Sequence, residues 1–192
     1  MFLGEYTARS GYAYSQTNNI IHNFKMGVEI RGNAQRWRYK ERDIRVVAEA
    51  FSKAIHSAWL ATATLVPIPP SKLKSDPLYD DRVLRMLRLI PAEGALDVRE
   101  LIVQTIDRPA AHGAQCRPNP DELLQCYEIN EAVARPEPSE IGVFDDVLVT
   151  GAGYKACQAL LQHRFPDAEI YGFFIARRAP EASDPDLEFD IF

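Results

Sequence analysis

The sequence predicts an α/β protein with a mainly parallel central sheet flanked by helices, and three stretches predict it. In IGVFDDVLVTGAG, residues 141–153, an apolar run reaches two adjacent carboxylates, crosses further apolar residues and turns on Thr-Gly-Ala-Gly before the amphipathic GYKACQALLQHRF. From Ile44, apolar residues recur at Val47, Ala48, Phe51, Ala54, Ile55, Ala58 and Trp59, one stripe of a long helix. The β-branched run 62–68 suits a core strand, stopped by Pro67, Pro69 and Pro70. Strands alternating with helices in this way favour a parallel sheet covered on both faces.

Residues 1–40 mix Tyr6, Tyr12, Tyr14, Phe24, Trp37 and Tyr39 with polar turn formers, which predicts an irregular hood or edge segment with a short strand or two. RWRYKERDIR, residues 36–45, interleaves bases with aromatics as a surface for single-stranded nucleic acid would. The solvated start of a helix is the weightier reading. Residues 78–91 place Val83, Met86, Leu87 and Ile90 at helical spacing, with Arg82, Arg85 and Arg88 on the polar side. Arg82 is expected in solvent, although its position would let it reach a phosphate. Asp97 and Glu100 fit a capping box opening a short helix, whereas LIVQTI has strand character. A strand over 101–106 is preferred, because the sheet needs one between the flanking helices.

IDRPAAHGAQCRPNP is longer than an ordinary connection and carries Arg108, His112 and Arg117; loops of this length are often lids. Otherwise these are exposed loop residues. Asn119-Pro120-Asp121-Glu122 opens a helix running to about Tyr127. After the Gly151 turn, Ala156, Ala159, Leu160 and His163 mark the expected inward side of another helix, residues 168–178 a further strand, and 180–192 an acidic tail. No internal repeat or second domain is visible.

Composition narrows the function. The chain has 192 residues, 46% hydrophobic and 26% charged, enough for one domain with its own core. A net charge of -5 gives the whole chain no electrostatic reason to coat nucleic acid or an anionic membrane, leaving only a local patch. No secretory signal or membrane-length apolar run is seen, so a cytoplasmic protein is expected. Cys116, Cys126 and Cys157 include no C-x-x-C pair, and His22, His56, His112 and His163 show no metal-binding spacing.

The chemistry concentrates at the strand ends. A glycine turn entering a helix brings backbone N–H groups and the helix's partial positive charge to an anion, for which phosphate is the natural occupant. Asp145 and Asp146, just before that turn, suit ribose hydroxyls or a hydrated divalent cation. Ser71, Lys72 and Lys74, after Pro70, put hydroxyl and ammonium groups where a diphosphate would lie. The alternatives are a solvated strand end and a Pro-punctuated surface loop. A phosphorylated sugar satisfies both groups together.

Residues 141–153 resemble the phosphoribosyl diphosphate (PRPP) signature of type I phosphoribosyltransferases, and VPIPPSKLK resembles the strand and pyrophosphate loop of the competence-protein ComF-like subfamily. The pattern departs at Gly142, Val149 and Gly153, where a bulkier residue and two hydroxyl residues are usual. The resemblance implies a Rossmann-like phosphoribosyltransferase fold over residues 1–192. It implies that Asp145 and Asp146 hold the ribose hydroxyls, that Thr150, Gly151, Ala152 and Gly153 bind the 5′-phosphate, and that Pro70, Ser71, Lys72 and Lys74 form the pyrophosphate loop. Arg108 and His112 become lid candidates. Mg²⁺ would arrive on PRPP rather than in a protein cage; the family commonly forms homodimers, and the sequence leaves the oligomeric state open.

The implied activity is transfer of phosphoribose to or from a nitrogenous base or amine, with pyrophosphate exchange. The acceptor would meet the aromatic hood at Tyr12, Tyr14 or Trp37. The competing expectations are a non-catalytic module that binds PRPP, a nucleotide or a sugar phosphate, and an accessory protein in nucleic-acid handling.

Overall fold

The apolar run ending at the acid pair forms a central strand, and the rest of the molecule is layered on its two faces. The computed structural model describes residues 1–8, 10–107 and 118–179. Their strands are β1 (Phe2–Tyr6), β2 (Thr64–Pro67), β3 (Asp97–Val98), β4 (Ile102–Gln104), β5 (Tyr127–Ile129), β6 (Glu140–Leu148) and β7 (Glu169–Arg178). A five-stranded sheet has the order β1-β7-β6-β2-β3, and each neighbouring pair in it is parallel. β4 and β5 pair antiparallel as a separate hairpin. The expected α/β architecture with a parallel sheet flanked by helices is therefore present.

The helices are α1 (Gln16–Phe24), α2 (Ala34–Ala54), α3 (Ser57–Thr62), α4 (Arg82–Arg88), α5 (Pro120–Leu124) and α6 (Ala152–Arg164). Side chains alternate across a strand, and β6 shows the result. Phe144 packs edge-on against Phe51 of α2 within a core that also takes Ile21, Phe24, Leu60 and Met86 from α1, α3 and α4. Ile141 and Val143 join the opposite core with Ala156, Cys157 and Leu161 of α6, Leu123 of α5 and Tyr127 of the hairpin. Each fully buried large apolar side chain contributes about 1.5–3 kcal/mol. Gly142 makes room for a ring, because a Cβ there would lie 2.7 Å from Trp59 of α3.

Several expectations are corrected. Residues 1–40 supply the expected short edge strand, β1, but are not otherwise irregular: they add α1, a 3₁₀ turn at Val28–Gly32 and the start of α2. Ser15 caps α1 by accepting from the Asn18 N–H at 3.0 Å, and buried Asn18 donates back to Thr7 and Ser10 carbonyls. The stripe from Ile44 spans two helices, because Ile55 is extended and His56 caps α3 through Nδ1. No capping box forms at Asp97, whose carboxylate instead accepts from Thr64 Oγ1 at 2.6 Å and pairs with Arg99. The strand near 101–106 lies in the hairpin, and the sheet uses the two-residue β3. On α6 the inward residues are Ala156, Cys157 and Leu161, while Ala159 and His163 are exposed. Asn119 caps a helix as expected, in a capping box with Glu122, but α5 stops at Leu124 and Tyr127 begins β5.

Candidate functional site

β2 and β6 are neighbours, but the next strands in the chain lie on opposite sides of them: β3 beyond β2, β7 beyond β6. Such a switch point opens a crevice at the carboxyl ends of the strands. Ile68 N–H still donates to the Phe144 carbonyl at 2.9 Å, after which the two chains part. The resulting cleft has a volume of about 420 Å³. It is lined by Asp145 and Asp146, by Thr150, Gly151, Ala152 and Gly153, and by Pro70, Ser71, Lys72 and Lys74. The fold thus brings both sequence-predicted groups to one place. Arg108, His112 and the tail 180–192 lie outside the described residues.

The loop after β6 is shaped by its backbone. Gly151 sits at φ 75°, where side chains are strained, and starts α6. Thr150 Oγ1 accepts from the Ala152 N–H at 3.4 Å. The remaining first-turn N–H groups have no intrahelical acceptor. Val149 is exposed at the rim, so no hydroxyl stands there. Gly153 is not sterically required: its nearest Cβ neighbour would be Ile68 at 3.8 Å.

The loop after β2 is held by side chains. Gln104 of β4 donates to the Ser71 carbonyl at 2.6 Å, and Asp107 accepts from the Leu73 N–H at 2.8 Å. Lys72 pairs with Asp76 at 3.2 Å and Lys74 with Glu100 at 2.7 Å. Glu100 also accepts from Tyr79, whose phenol pKa is raised by burial and then by that carboxylate. Both predicted cations are thus already paired, through surface contacts that contribute little to stability.

The acid pair divides. Asp146 accepts from Lys25 Nζ at 2.8 Å on Oδ1, and from Arg82 at 2.7 and 3.1 Å on Oδ2. Arg82 also pairs with Asp80 at 2.8 Å, and Asp80 with buried Lys40 at 2.7 Å. Burial alone would raise the Asp146 pKa, but Lys25 and Arg82 outweigh it and hold the carboxyl well below its ordinary range. Asp145 is half-buried and lines the cleft. Burial first, and then the Asp146 charge, push its pKa up. Its Oδ1 accepts from the Asp146 N–H at 2.7 Å, and Oδ2 has no hydrogen-bond partner among the described residues.

Arg82, expected in solvent, is instead bound to Asp146 and Asp80. Lys25 has no local sequence signal, because it caps the end of α1 in a stretch whose few apolar residues make no clear helical stripe. Asp80 and Tyr79 carry no local motif, Glu100 reads only as part of a capping box, and all three reach the site through tertiary structure. Tyr12, Tyr14 and Trp37 do not line this cleft; among the described residues it is covered by the hairpin and α5 through Ile102, Val103, Gln104, Leu123 and Tyr127. RWRYKERDIR forms the first half of α2, where Arg31, Lys40 and Arg85 surround Trp37.

Charge in the lining nearly balances: Lys25, Lys72, Lys74 and Arg82 face Asp80, Asp81, Glu100, Asp145 and Asp146. A polyphosphate therefore gains from bringing its own counterion. Mg²⁺ needs several oxygen ligands, and no cluster of three or more His, Cys, Asp or Glu suited to a metal occurs among the described residues. No helix among them is long and apolar enough to cross a membrane. Compared with known proteins, the chain matches no family model and no curated protein.

Proposed function

We propose that this chain is a phosphoribosyltransferase-like protein that binds Mg-PRPP and transfers phosphoribose to or from a nitrogenous base or amine, with exchange of pyrophosphate. The observation supporting it is the meeting of Asp145, the loop 149–153 and the loop 68–74 around one cleft at the sheet's switch point. Asp145 Oδ2 accepts a ribose hydroxyl. The N–H groups at the start of α6, with Thr150, hold the 5′-phosphate, and Ser71, Lys72 and Lys74 face the diphosphate, exchanging Asp76 and Glu100 for phosphate oxygens. Mg²⁺ carried on the diphosphate offsets charge that the nearly balanced lining does not.

Cleavage of the anomeric C–O bond develops positive charge on the sugar. The protein's part is to position the reactants, exclude water and leave that charge beside Asp145. The apolar cover from Ile102, Val103 and Leu123 supplies the dry wall.

Calorimetry with Mg-PRPP is the test. The natural chain is expected to bind, and Asp145→Asn to weaken binding about tenfold or more, the loss of one charge-assisted hydrogen bond. No heat from folded protein overturns the proposal. A second reading, a non-catalytic PRPP or nucleotide sensor, draws on the engagement of both Asp146 oxygens and on Val149 at the phosphate loop. Release of pyrophosphate that depends on an added base separates the two.

A further inference from the structure

A divalent cation competes with ammonium and guanidinium groups for the same carboxylate lone pairs. At Asp146 that competition is settled within the chain, with Lys25 Nζ at 2.8 Å from one oxygen and Arg82 at 2.7 Å from the other. The arrangement is braced from behind. Arg82 continues to Asp80, and Asp80 to Lys40, whose side chain has no exposed surface and whose Nζ also donates to the Phe24 and Met26 carbonyls at 3.0 and 2.6 Å.

Lys25 is the loose end of this array. Its side chain keeps 19% of its exposure, and Asp146 is its one polar partner among the described residues. An ammonium carries three N–H groups, so donors remain. Lys25 lines both the cleft and an adjoining cavity of about 390 Å³ beside α1.

We propose that Lys25 is the resident cation of the acid pair: its ammonium takes the place at Asp146 that a divalent cation would fill, and its spare N–H groups bind a hydroxyl or phosphate oxygen of the ligand. Lys25 is then a binding residue supplied by the N-terminal segment. Metal is confined to the diphosphate end, and a sugar phosphate without a diphosphate binds without metal. This last step rests on the sugar-phosphate reading of the cleft; the cation assignment at Asp146 does not.

The test has two arms. The first titrates Mn²⁺, followed by electron paramagnetic resonance with no organic ligand, into the natural chain, Lys25→Met, Lys25→Gln and Lys25→Met/Asp146→Asn, with circular dichroism to verify folding. The natural chain is expected to hold Mn²⁺ only weakly, and the single Lys25 changes to tighten it about tenfold or more by freeing a carboxylate oxygen. The double change abolishes that gain. Tight Mn²⁺ binding by the natural chain, or no gain in the folded Lys25 variants, overturns the assignment.

The second arm is calorimetry with ribose 5-phosphate in Mg²⁺ or in chelator. The natural chain is expected to bind equally within about twofold, a difference well under 1 kcal/mol. Sensitivity to chelator overturns metal-free binding. Absence of heat in both conditions, beside a positive Mn²⁺ arm, rejects the sugar phosphate as ligand and leaves Lys25 as the cation at Asp146.

Discussion

The two faces of β6 begin alike and end differently. Toward α1–α4 the strand shows Gly142, Phe144 and Asp146; toward α6 and the hairpin it shows Ile141, Val143 and Asp145. On the first face the apolar core runs directly into a braced row of charges, and the acid there is consumed in holding elements together. On the second face the core stops short, and the acid opens into the cleft with an oxygen to spare. Adjacent aspartates therefore differ in work, because a strand sends neighbours to opposite sides.

The largest effect that would break this contrast is on stability. Asp146→Ala leaves Lys25 and Arg82 facing an empty position, and is expected to cost about 3–5 kcal/mol in urea unfolding. Asp145→Asn is expected to change stability by about 1 kcal/mol or less, the net worth of one hydrogen bond, while weakening ligand binding. Equal destabilisation by both changes would erase the distinction.

Next comes the packed face itself. Gly142→Ala drives a methyl group toward the Trp59 ring and is expected to cost about 1–3 kcal/mol through overpacking. Combined with Trp59→Leu, the penalty of the added methyl should shrink, which a double-mutant cycle measures directly. Additive costs would show that the ring and the glycine are not coupled.

The turn at the end of the strand sharpens the comparison further. Gly151→Ala imposes a left-handed conformation on a residue with a Cβ, costing about 1–2 kcal/mol. Gly153→Ala, in the first turn of α6 with space around it, is expected to be neutral or to stabilise by about 0.5–1 kcal/mol. Thermal unfolding of the two variants checks this difference.

The last contrast is in pH dependence, where the two acids have opposite signs. Asp146 has a depressed pKa in the folded chain, so its contribution is present above about pH 4 and is lost as pH falls through the folded value. Asp145 has a raised pKa, so its contribution is full below about pH 4 and is lost as pH rises through the folded value. Asp145→Asn should therefore flatten the upper limb of the stability profile and leave the acid limb in place.

These contrasts also show which parts of the fold were legible in the sequence. β6, its turn and the start of α6 were legible because each is set by neighbours in the chain: apolar run, glycine at a positive φ, helix. The strand at β2 was legible too, since prolines end it whatever surrounds them. α1 was not, because QTNNIIHNF offers only Ile20, Ile21 and Phe24 as apolar residues, too few to mark a stripe, and buries the polar Asn18 as well. The continuous stripe from Ile44 concealed a break, because α2 and α3 both face the same core. Leu160 and Leu161, adjacent and both apolar, left the inward side of α6 open to misreading. The candidate site was half legible: motifs marked Asp145, Asp146 and both loops, whereas Lys25, Asp80 and Glu100 reach the cleft only through long-range packing.

The slot that Gly142 opens for Trp59 gives the molecule an internal optical reporter. The chain has two tryptophans; Trp59 lies against Tyr171 and Phe173 of β7 and over Gly142 of β6, the strand that carries the acids. Trp37 lies among cations on α2. Their emission should differ in wavelength and in quenching, so a shift confined to the bluer component would register movement of β6 with no label attached.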